Sequence, residues 1–559
     1  MELEEIAPSN GEHAAPTLSN EQLDSPAVAK MTDNEIIKLS TWKFCTIVIS
    51  LCSACFLAGY DSTCVGTLGP TISDEFSSLN DVSWYGIAYS LASCATVLSF
   101  GKLYCFYSAR IVFASALAVF VIGSIICATA QSSIAFIVGR AVAGLGNAGI
   151  FSGCNIIAAR IIPLRWRPFY QSFIGSMECI ALATAPLIAG AIADVASWRV
   201  CFWISVPLGV IPILSVLFFL RMPKTDKQAT HSSLAKLRQL DPIGMALFVP
   251  LVICFTLALQ TGGTEYPWSS KQVVIPLAMT GALLVAFVLQ QAYMQEHATL
   301  PARLLKSRIM LSSIAVSFAC SGALFVFTYY VSGKIFVAQY RKAKSPQLPI
   351  YYQAIRDVST MESGVRDLPR ILGLTIAIIF AGAMTTMTGY YMPYMVLGGV
   401  LMSIGAGLTT TFNTTTSLAH IISFQAIFGL GCGFAWQQPY IAVQASTPAS
   451  DVPSAIVVLT FGQLLGGVVM LAISQNIFAI ELISGLAAKV PGLDANLVLN
   501  SGVLSLREVI PAKYLVDALG VYNDALVKVF YTGMAVACVT TFGALGSGWR
   551  SVKQADKTK

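Results

Sequence analysis

Apolar residues along this chain run in blocks of about twenty, separated by short polar segments. A helix rises 1.5 Å per residue, so about twenty apolar residues cross the hydrocarbon core of a bilayer. Fourteen blocks of this kind are present, near 44–66, 83–102, 111–130, 133–154, 168–193, 200–220, 242–260, 273–293, 309–330, 371–386, 393–412, 419–437, 455–478 and 526–546. The tenth is short. The pattern predicts an all-α, polytopic membrane protein with fourteen transmembrane helices.

Placement of Lys and Arg orients the spans. Lys102 and Arg110 follow the second block, and Arg160, Arg165 and Arg167 follow the fourth. Arg221, Lys224, Lys227, Lys236 and Arg238 follow the sixth, and Arg303, Lys306 and Arg308 follow the eighth. The alternate loops are poor in both: 67–82 and 131–132 have none, 194–199 has only Arg199, and 261–272 has only Lys271. Cytoplasmic loops are the basic ones, so the first set is expected inside, with both termini. The tail residues Arg550, Lys553, Lys557 and Lys559 agree. Loops 387–392 and 438–454, expected on the same side, hold no Lys or Arg.

These blocks divide the chain into a polar, disordered cytoplasmic tail over 1–43, a six-helix half over 44–220, a basic link with the seventh and eighth helices over 221–307, a second six-helix half over 308–546, and a cytoplasmic tail over 547–559. Residues 479–525 read as an outward loop rich in Leu and Val, with an amphipathic helix lying on the membrane. Residues 1–40 lack the early apolar core of a signal peptide.

Composition sharpens the picture. Only 11% of residues are charged and mean hydropathy is +0.71, against about 25% charged in soluble domains. The basic residues sit in short loops, which argues against nucleic-acid binding. Fourteen cysteines are scattered, mostly inside spans. Cys52 and Cys55 form a C-x-x-C within an apolar helix and read as small packing residues. The four histidines show no metal spacing. No nucleophile or metal cluster marks an enzyme, no cofactor or metal is expected, and no large soluble domain marks a receptor. Asn413-Thr414-Thr415 is a candidate glycosylation sequon in a short loop.

The candidate chemistry centres on Ser133–Gly153, SIAFIVGRAVAGLGNAGIFSG. Arg140 lies inside an apolar run, where insertion costs roughly 2.5–3.5 kcal/mol, so it is expected to face protein or a water-filled cavity. Gly144, Gly146, Gly149 and Gly153 allow a neighbouring helix to approach closely. Asp61, in the outer third of the first span, lies at a similar depth and is Arg140's natural partner. Glu178 falls near the middle of the fifth span, where an ionised carboxylate is costly and a group that takes up and releases a proton is well placed. Ala181, Ala185 and Ala189 then form a small-residue face, and Pro186 with Gly190 supplies a flexing element.

An internal repeat is visible. The fourth span holds Arg140-Ala-Val-Ala-Gly-Leu-Gly146 and the twelfth holds Gln425-Ala-Ile-Phe-Gly-Leu-Gly431. If the seventh and eighth helices are an insertion, these are the fourth helices of two repeated halves, a common transporter plan. Because Gln425 stands in the arginine's place, the charge chemistry is expected in the first half. Gln425, Trp436, Gln437 and Gln438 are candidates for the substrate cavity. Gly101-Lys-Leu-Tyr-Cys-Phe-Tyr-Ser-Ala-Arg110 reads as a tight cytoplasmic turn.

With these pieces the chain resembles the major facilitator superfamily, more closely its fourteen-helix drug:proton antiporters, and among them the fungal toxin efflux pumps. The resemblance covers roughly residues 42–555. The fourth-helix motif R-x-x-x-G-x-G matches at Arg140, Gly144 and Gly146. The fifth-helix antiporter motif keeps Pro186 and Gly190 but has Ala at 181, 185 and 189. Trp198-Arg-Val-Cys-Phe-Trp-Ile-Ser-Val-Pro-Leu-Gly209 looks like the family's W-R-W-x-F-x-I-N-x-P-x-G. Leu259–Gly263, Thr299–Pro301 and Leu464–Gly467 add weaker matches in the right order. At the cytoplasmic turn Gly101, Leu103 and Arg110 remain, but Cys105 stands where the superfamily has an acid and Ser108 replaces the second glycine.

The resemblance implies proton-driven export of a small amphipathic organic compound such as a toxin, drug or secondary metabolite. A proton-coupled importer, for example of siderophores, is the alternative. The expected partners are that small molecule, protons and the lipid bilayer. The expected site is the plasma membrane, with a vacuolar or vesicular membrane as the alternative.

One segment interrupts the resemblance. Tyr329-Tyr330 and Leu348-Pro-Ile-Tyr-Tyr-Gln353 would join into a family-like run without residues 331–347, which place Lys334, Arg341, Lys342 and Lys344 in an outward loop against the charge rule. The insert begins Val-Ser and ends in Gln, which GTGAGT and CAG can encode, and reads as a translated intron; a genuine loop insertion is the alternative.

Overall fold

The computed structural model describes residues 39–78, 81–220, 240–263, 266–295, 298–330, 360–413, 416–490 and 514–553. The expected translated intron at 331–347, most of the basic link, most of the N-terminal tail and the last six residues lie outside them. Fourteen helical spans long and apolar enough to cross a membrane are present. They are α1 (Thr41–Phe76), α2 (Val82–Phe106), α3 (Ala109–Thr129), α4 (Ser133–Ile161), α5 (Arg167–Val195), α6 (Arg199–Phe219), α7 (Pro242–Thr261), α8 (Lys271–Met294), α9 (Arg308–Tyr330), α10 (Thr360–Thr388), α11 (Met392–Thr409), α12 (Leu418–Trp436) continued by α13 (Gln438–Ser446), α14 (Val452–Lys489) and α15 (Leu515–Gly546). The chain is an all-α multi-pass membrane protein of two six-helix halves with α7 and α8 between them.

In the first half α4 packs between α2 and α3, α1 lies against α5 and α6, and α3 meets α6. In the second half α12 packs between α10 and α11, and α9 lies against α14 and α15. The repeat read from the sequence recurs in how its glycines pack. A Cβ on Gly144 of α4 would strike the Tyr89 carbonyl oxygen of α2, and one on Gly429 of α12 would strike the Arg370 carbonyl oxygen of α10. Gly146 then meets Ala116 and Phe120 of α3, as Gly431 meets Leu401 and Met402 of α11. Each helix rests its backbone on two neighbours where only a hydrogen side chain fits.

Four boundaries differ from the sequence reading. The tenth span is not short: α10 begins well before 371, because its charged residues Asp367 and Arg370 are paired and buried. The loop expected over 438–454 begins as helix. Pro439 lacks the N–H that would continue α12 and starts α13 in the same span, so Gln438 lies within the span rather than just past its end. The outward loop expected over 479–525 is helix at both ends, since α14 runs to Lys489 and α15 starts at Leu515. Their buried faces, Leu482 and Leu486 against Ala518, Val521 and Tyr522, carry the pair beyond the apolar blocks, and Lys489 and Asp524 close it at 2.9 Å. Residues 491–513 of that expected loop lie outside the described residues. Finally, Gly101–Cys105 is the last part of α2, not a turn; the bend is at Tyr107-Ser108.

Candidate functional site

Ser132 caps α4 by accepting the Ala135 N–H at 3.3 Å, and Arg140 follows two turns in. Its guanidinium is wholly buried. Nη1 donates to Asp61 Oδ2 at 2.5 Å, Nη2 to the Asp61 carbonyl at 3.4 Å and Nε to the Tyr85 carbonyl at 3.0 Å. The cation also lies 4.4 Å from the centre of the Tyr89 ring. Two helices therefore satisfy one charge on a third: α1 through Asp61, and α2 through Tyr85 and Tyr89. Neither ion could be buried alone at tolerable cost. The arrangement reads as a lock that holds α1, α2 and α4 in register.

Glu178 sits near the middle of α5. A Cβ on Gly59 of α1 would lie 2.9 Å from the Glu178 carbonyl, so α1 and α5 touch backbone to backbone there. The small stripe follows: Ala181, Ala185 and Ala189 are all fully buried, in one cluster with Tyr60, Cys64 and Leu68 of α1. The Glu178 carboxylate has a buried oxygen, Oε2, with no hydrogen-bond partner. A buried carboxylate oxygen without a partner favours the neutral form or a ligand. One turn before it, Gly175 makes room for the Gln437 side chain of the second half. Trp436 Nε1 and Gln437 Oε1 are likewise buried and unpartnered, as is Gln438 Nε2.

The two halves meet along α5–α10 and α2–α14. Neutral groups close this seam at the end that carries the basic loops. Gln171 of α5 and Gln444 of α13 exchange amide hydrogen bonds, both at 3.2 Å, and Gln171 also donates to the Asn155 carbonyl at 3.2 Å. The Phe169 N–H donates to Thr386 at 3.1 Å. Gly382 packs against Ser172 and the Pro168 carbonyl. At the other contact Cys105 lies 3.2 Å from Ser454 Oγ, and a Cβ on Gly101 would lie 3.0 Å from Val457. Beside the seam Thr385 donates to Gln438 Oε1 at 3.1 Å, and Tyr440 donates to Gln463 at 2.6 Å. Of these groups the sequence reading singled out Gly101, Cys105 and Gln438. It missed Asn155, Gln171, Thr385 and Thr386, although Gln171, an amide inside an apolar block, was a usable signal.

The charge chemistry is not confined to the first half. Arg370 of α10 makes a bidentate pair with Asp367 one turn back, at 2.8 and 2.7 Å, and both are buried. By the glycine correspondence, Arg370 occupies in the second half the position Tyr89 has in the first. The cation has moved from α4 to the counterpart of α2. Gln425, in the arginine's sequence position, is buried near it on α12.

The remaining candidates sit apart. Arg110 donates to the Leu220 carbonyl at 3.4 Å and ties α3 to the end of α6. Pro186 lies within an unbroken α5, and a Cβ on Gly190 would meet nothing within 4 Å, so Gly190 makes no close packing contact. Asn413 is exposed and its Oδ1 accepts from Thr416 at 3.0 Å. The Trp198-Arg199 motif clasps the opposite end: Trp198 Nε1 donates to Glu75 Oε2 at 2.6 Å and Arg199 Nη1 donates to Glu75 Oε1 at 2.7 Å. The indole N–H, with help from Arg199 and against partial burial, holds the Glu75 carboxyl below its usual range. Among the described residues no three His, Cys, Asp or Glu side chains come together as a metal site.

The model of the Major Facilitator Superfamily matches residues 51–345. The chain is 40% identical over 520 residues to the efflux pump roqT of Penicillium rubens, covering 93% of each chain. It is 42% identical over 511 residues to the MFS-type efflux pump MFS1 of Trichophyton rubrum, covering 91% of this chain and 92% of that one. It is 39% identical over 517 residues to the efflux pump aflT of Aspergillus parasiticus, covering 92% and 97%. The fold is similar to that of the proton:xylose symporter XylE at TM-score 0.56 and 13% identity, covering 93% of this chain and all of that one. It is also similar to that of the human organic anion transporter MFSD10 at TM-score 0.52 and 12% identity, covering 87% and 99%.

Proposed function

This chain belongs to the major facilitator superfamily, and on that footing we propose that it exports a small amphipathic organic compound, a secondary metabolite or toxin, in exchange for protons. The relatives named as efflux pumps, alike over more than nine-tenths of the chain, support export. The observation that carries the mechanism is the buried, unpartnered Oε2 of Glu178, one turn from the Gly175–Gln437 contact between the halves.

Transport in this reading is a rocking of the two halves about that seam. With the basic end taken as cytoplasmic, the contacts along α5–α10 and α2–α14 close the cytoplasmic side, and in this reading the state is the one that exchanges with the outside. Glu178 takes a proton from the outside in this state. Neutral, it can stay in the seam while the halves tilt; facing the cytoplasm, it loses the proton to water and the emptied site receives substrate. Gln437, Gln438 and Trp436 offer unpartnered donors and acceptors to a ligand with carbonyl and hydroxyl groups. Arg140–Asp61 and Arg370–Asp367 keep each half rigid. The working membrane is the plasma membrane in this reading.

Metabolite profiling of cells with and without the gene identifies the retained compound. Its uptake into everted vesicles then requires an acidic lumen. Uptake that persists after the gradient is collapsed contradicts proton coupling, and a gene deletion that retains no compound contradicts export.

A further inference from the structure

The α7–α8 hairpin lies across the seam that must open. α7 touches α2 of the first half and α14 of the second. Phe248 of α7 meets Phe461 of α14 at 5.2 Å between ring centres and Phe287 of α8 at 5.3 Å. When α2 and α14 separate at the basic end, α7 has to leave one of them.

The root of the hairpin decides which. Asp241, just before α7, is buried and holds a left-handed backbone, φ 52°, that side chains other than glycine's adopt rarely. Its carboxylate collects five hydrogen bonds: from the Gly244 N–H at 2.9 Å, the Thr299 N–H at 3.0 Å, Thr299 Oγ1 at 2.8 Å, Gln291 at 3.1 Å and Gln290 at 3.3 Å. Gln291 in turn accepts the Leu300 N–H at 2.8 Å. The start of α7, the end of α8 and the strand of chain at 299–300 are thus one clasp. Arg303 follows in a short helical turn and pairs with Asp451 at 2.8 Å, at the very start of α14. The last link of this series, Arg303 to Asp451, ties the clasped hairpin to the second half.

We propose that α7 and α8 travel with the second half as one rigid body, so that the seam opens between α2 on one side and α7 with α14 on the other. Asp241 and Arg303 are the positioning residues of that body. The hairpin is therefore a part of the gate face and not a passive spacer between the halves.

The proposal rests on the rocking of halves described above, and two cross-links separate the two ideas. Ser454→Cys places a thiol against native Cys105 and clamps α2 to α14. Phe248→Cys/Phe461→Cys, bridged by a short bifunctional thiosulfonate, clamps α7 to α14. Wild type treated with the same reagent controls for the native cysteines, and peptide mapping verifies each bridge. The expected result is that the first clamp stops transport of the retained compound, while the second leaves it within about twofold of the unbridged variant. If both clamps stop transport, the hairpin does not travel with the second half. If the first clamp leaves transport intact, the rocking reading falls and the proposal with it. Arg303→Cys/Asp451→Cys makes the same clamp at the root, with the same expected outcome, should the phenylalanine pair fail to reach the membrane.

Discussion

Arg140 and Asp61 meet at 2.5 Å with both side chains buried, across two helices of one half. Removing one partner of such a pair strands the other, at about 3–5 kcal/mol. Arg140→Ala is therefore expected to lose transport and lower the melting temperature in detergent. Adding Asp61→Asn removes the stranded charge and recovers part of the stability. A double-mutant cycle in which the two losses simply add would show that the ions do not depend on each other.

Glu178→Gln keeps the shape of the side chain and removes its proton chemistry. The variant is expected to fold and to bind substrate, but its transport becomes insensitive to the pH gradient. Gradient-driven uptake into everted vesicles at the wild-type level would remove Glu178 from the coupling mechanism.

The paired glycines on one side and Gly190 on the other predict opposite outcomes for one substitution. Gly144→Ala or Gly429→Ala drives a methyl into a neighbouring backbone carbonyl, at about 1–3 kcal/mol. Gly190→Ala meets open space and gains the helical preference of alanine, up to about 1 kcal/mol. Thermal unfolding of the three variants orders them. Equal effects at 144 and 190 would contradict the packing.

Asp241 gives a pH dependence. Burial raises its pKa, but hydrogen bonds from the Gly244 N–H, Thr299, Gln291 and Gln290 outweigh that and hold it below the usual carboxylate value. A carboxyl with a lowered folded pKa contributes stability that is complete above its unfolded value of about 4 and is lost as pH falls through the folded value. Asp241→Asn is expected to melt lower than wild type at pH 7. The gap should narrow only below about pH 4; a gap that closes between pH 7 and 5 would contradict the assignment.

Much of this arrangement is legible in the sequence, for a physical reason. A bilayer demands long apolar blocks, so the spans are countable, and a charge inside a block must find a partner at its own depth. That argument pairs Arg140 with Asp61. It does not find Arg370 and Asp367, because two charges three residues apart interrupt the apolar run and shift the apparent start of α10 to 371. Their i, i+3 spacing was the available signal. The seam amides fail for another reason: Gln171 and Gln444 lie 273 positions apart and meet only because the halves do. Asp241 escapes notice since its five donors come from three separate segments.

The most direct test of the account is the Ser454→Cys cross-link to native Cys105, whose sulfur lies 3.2 Å from the Ser454 oxygen. Oxidation should form the bridge, close the basic end permanently and abolish transport, and a reducing agent should restore it. Full transport with the bridge verified in place would contradict a cycle in which the halves part along α2 and α14.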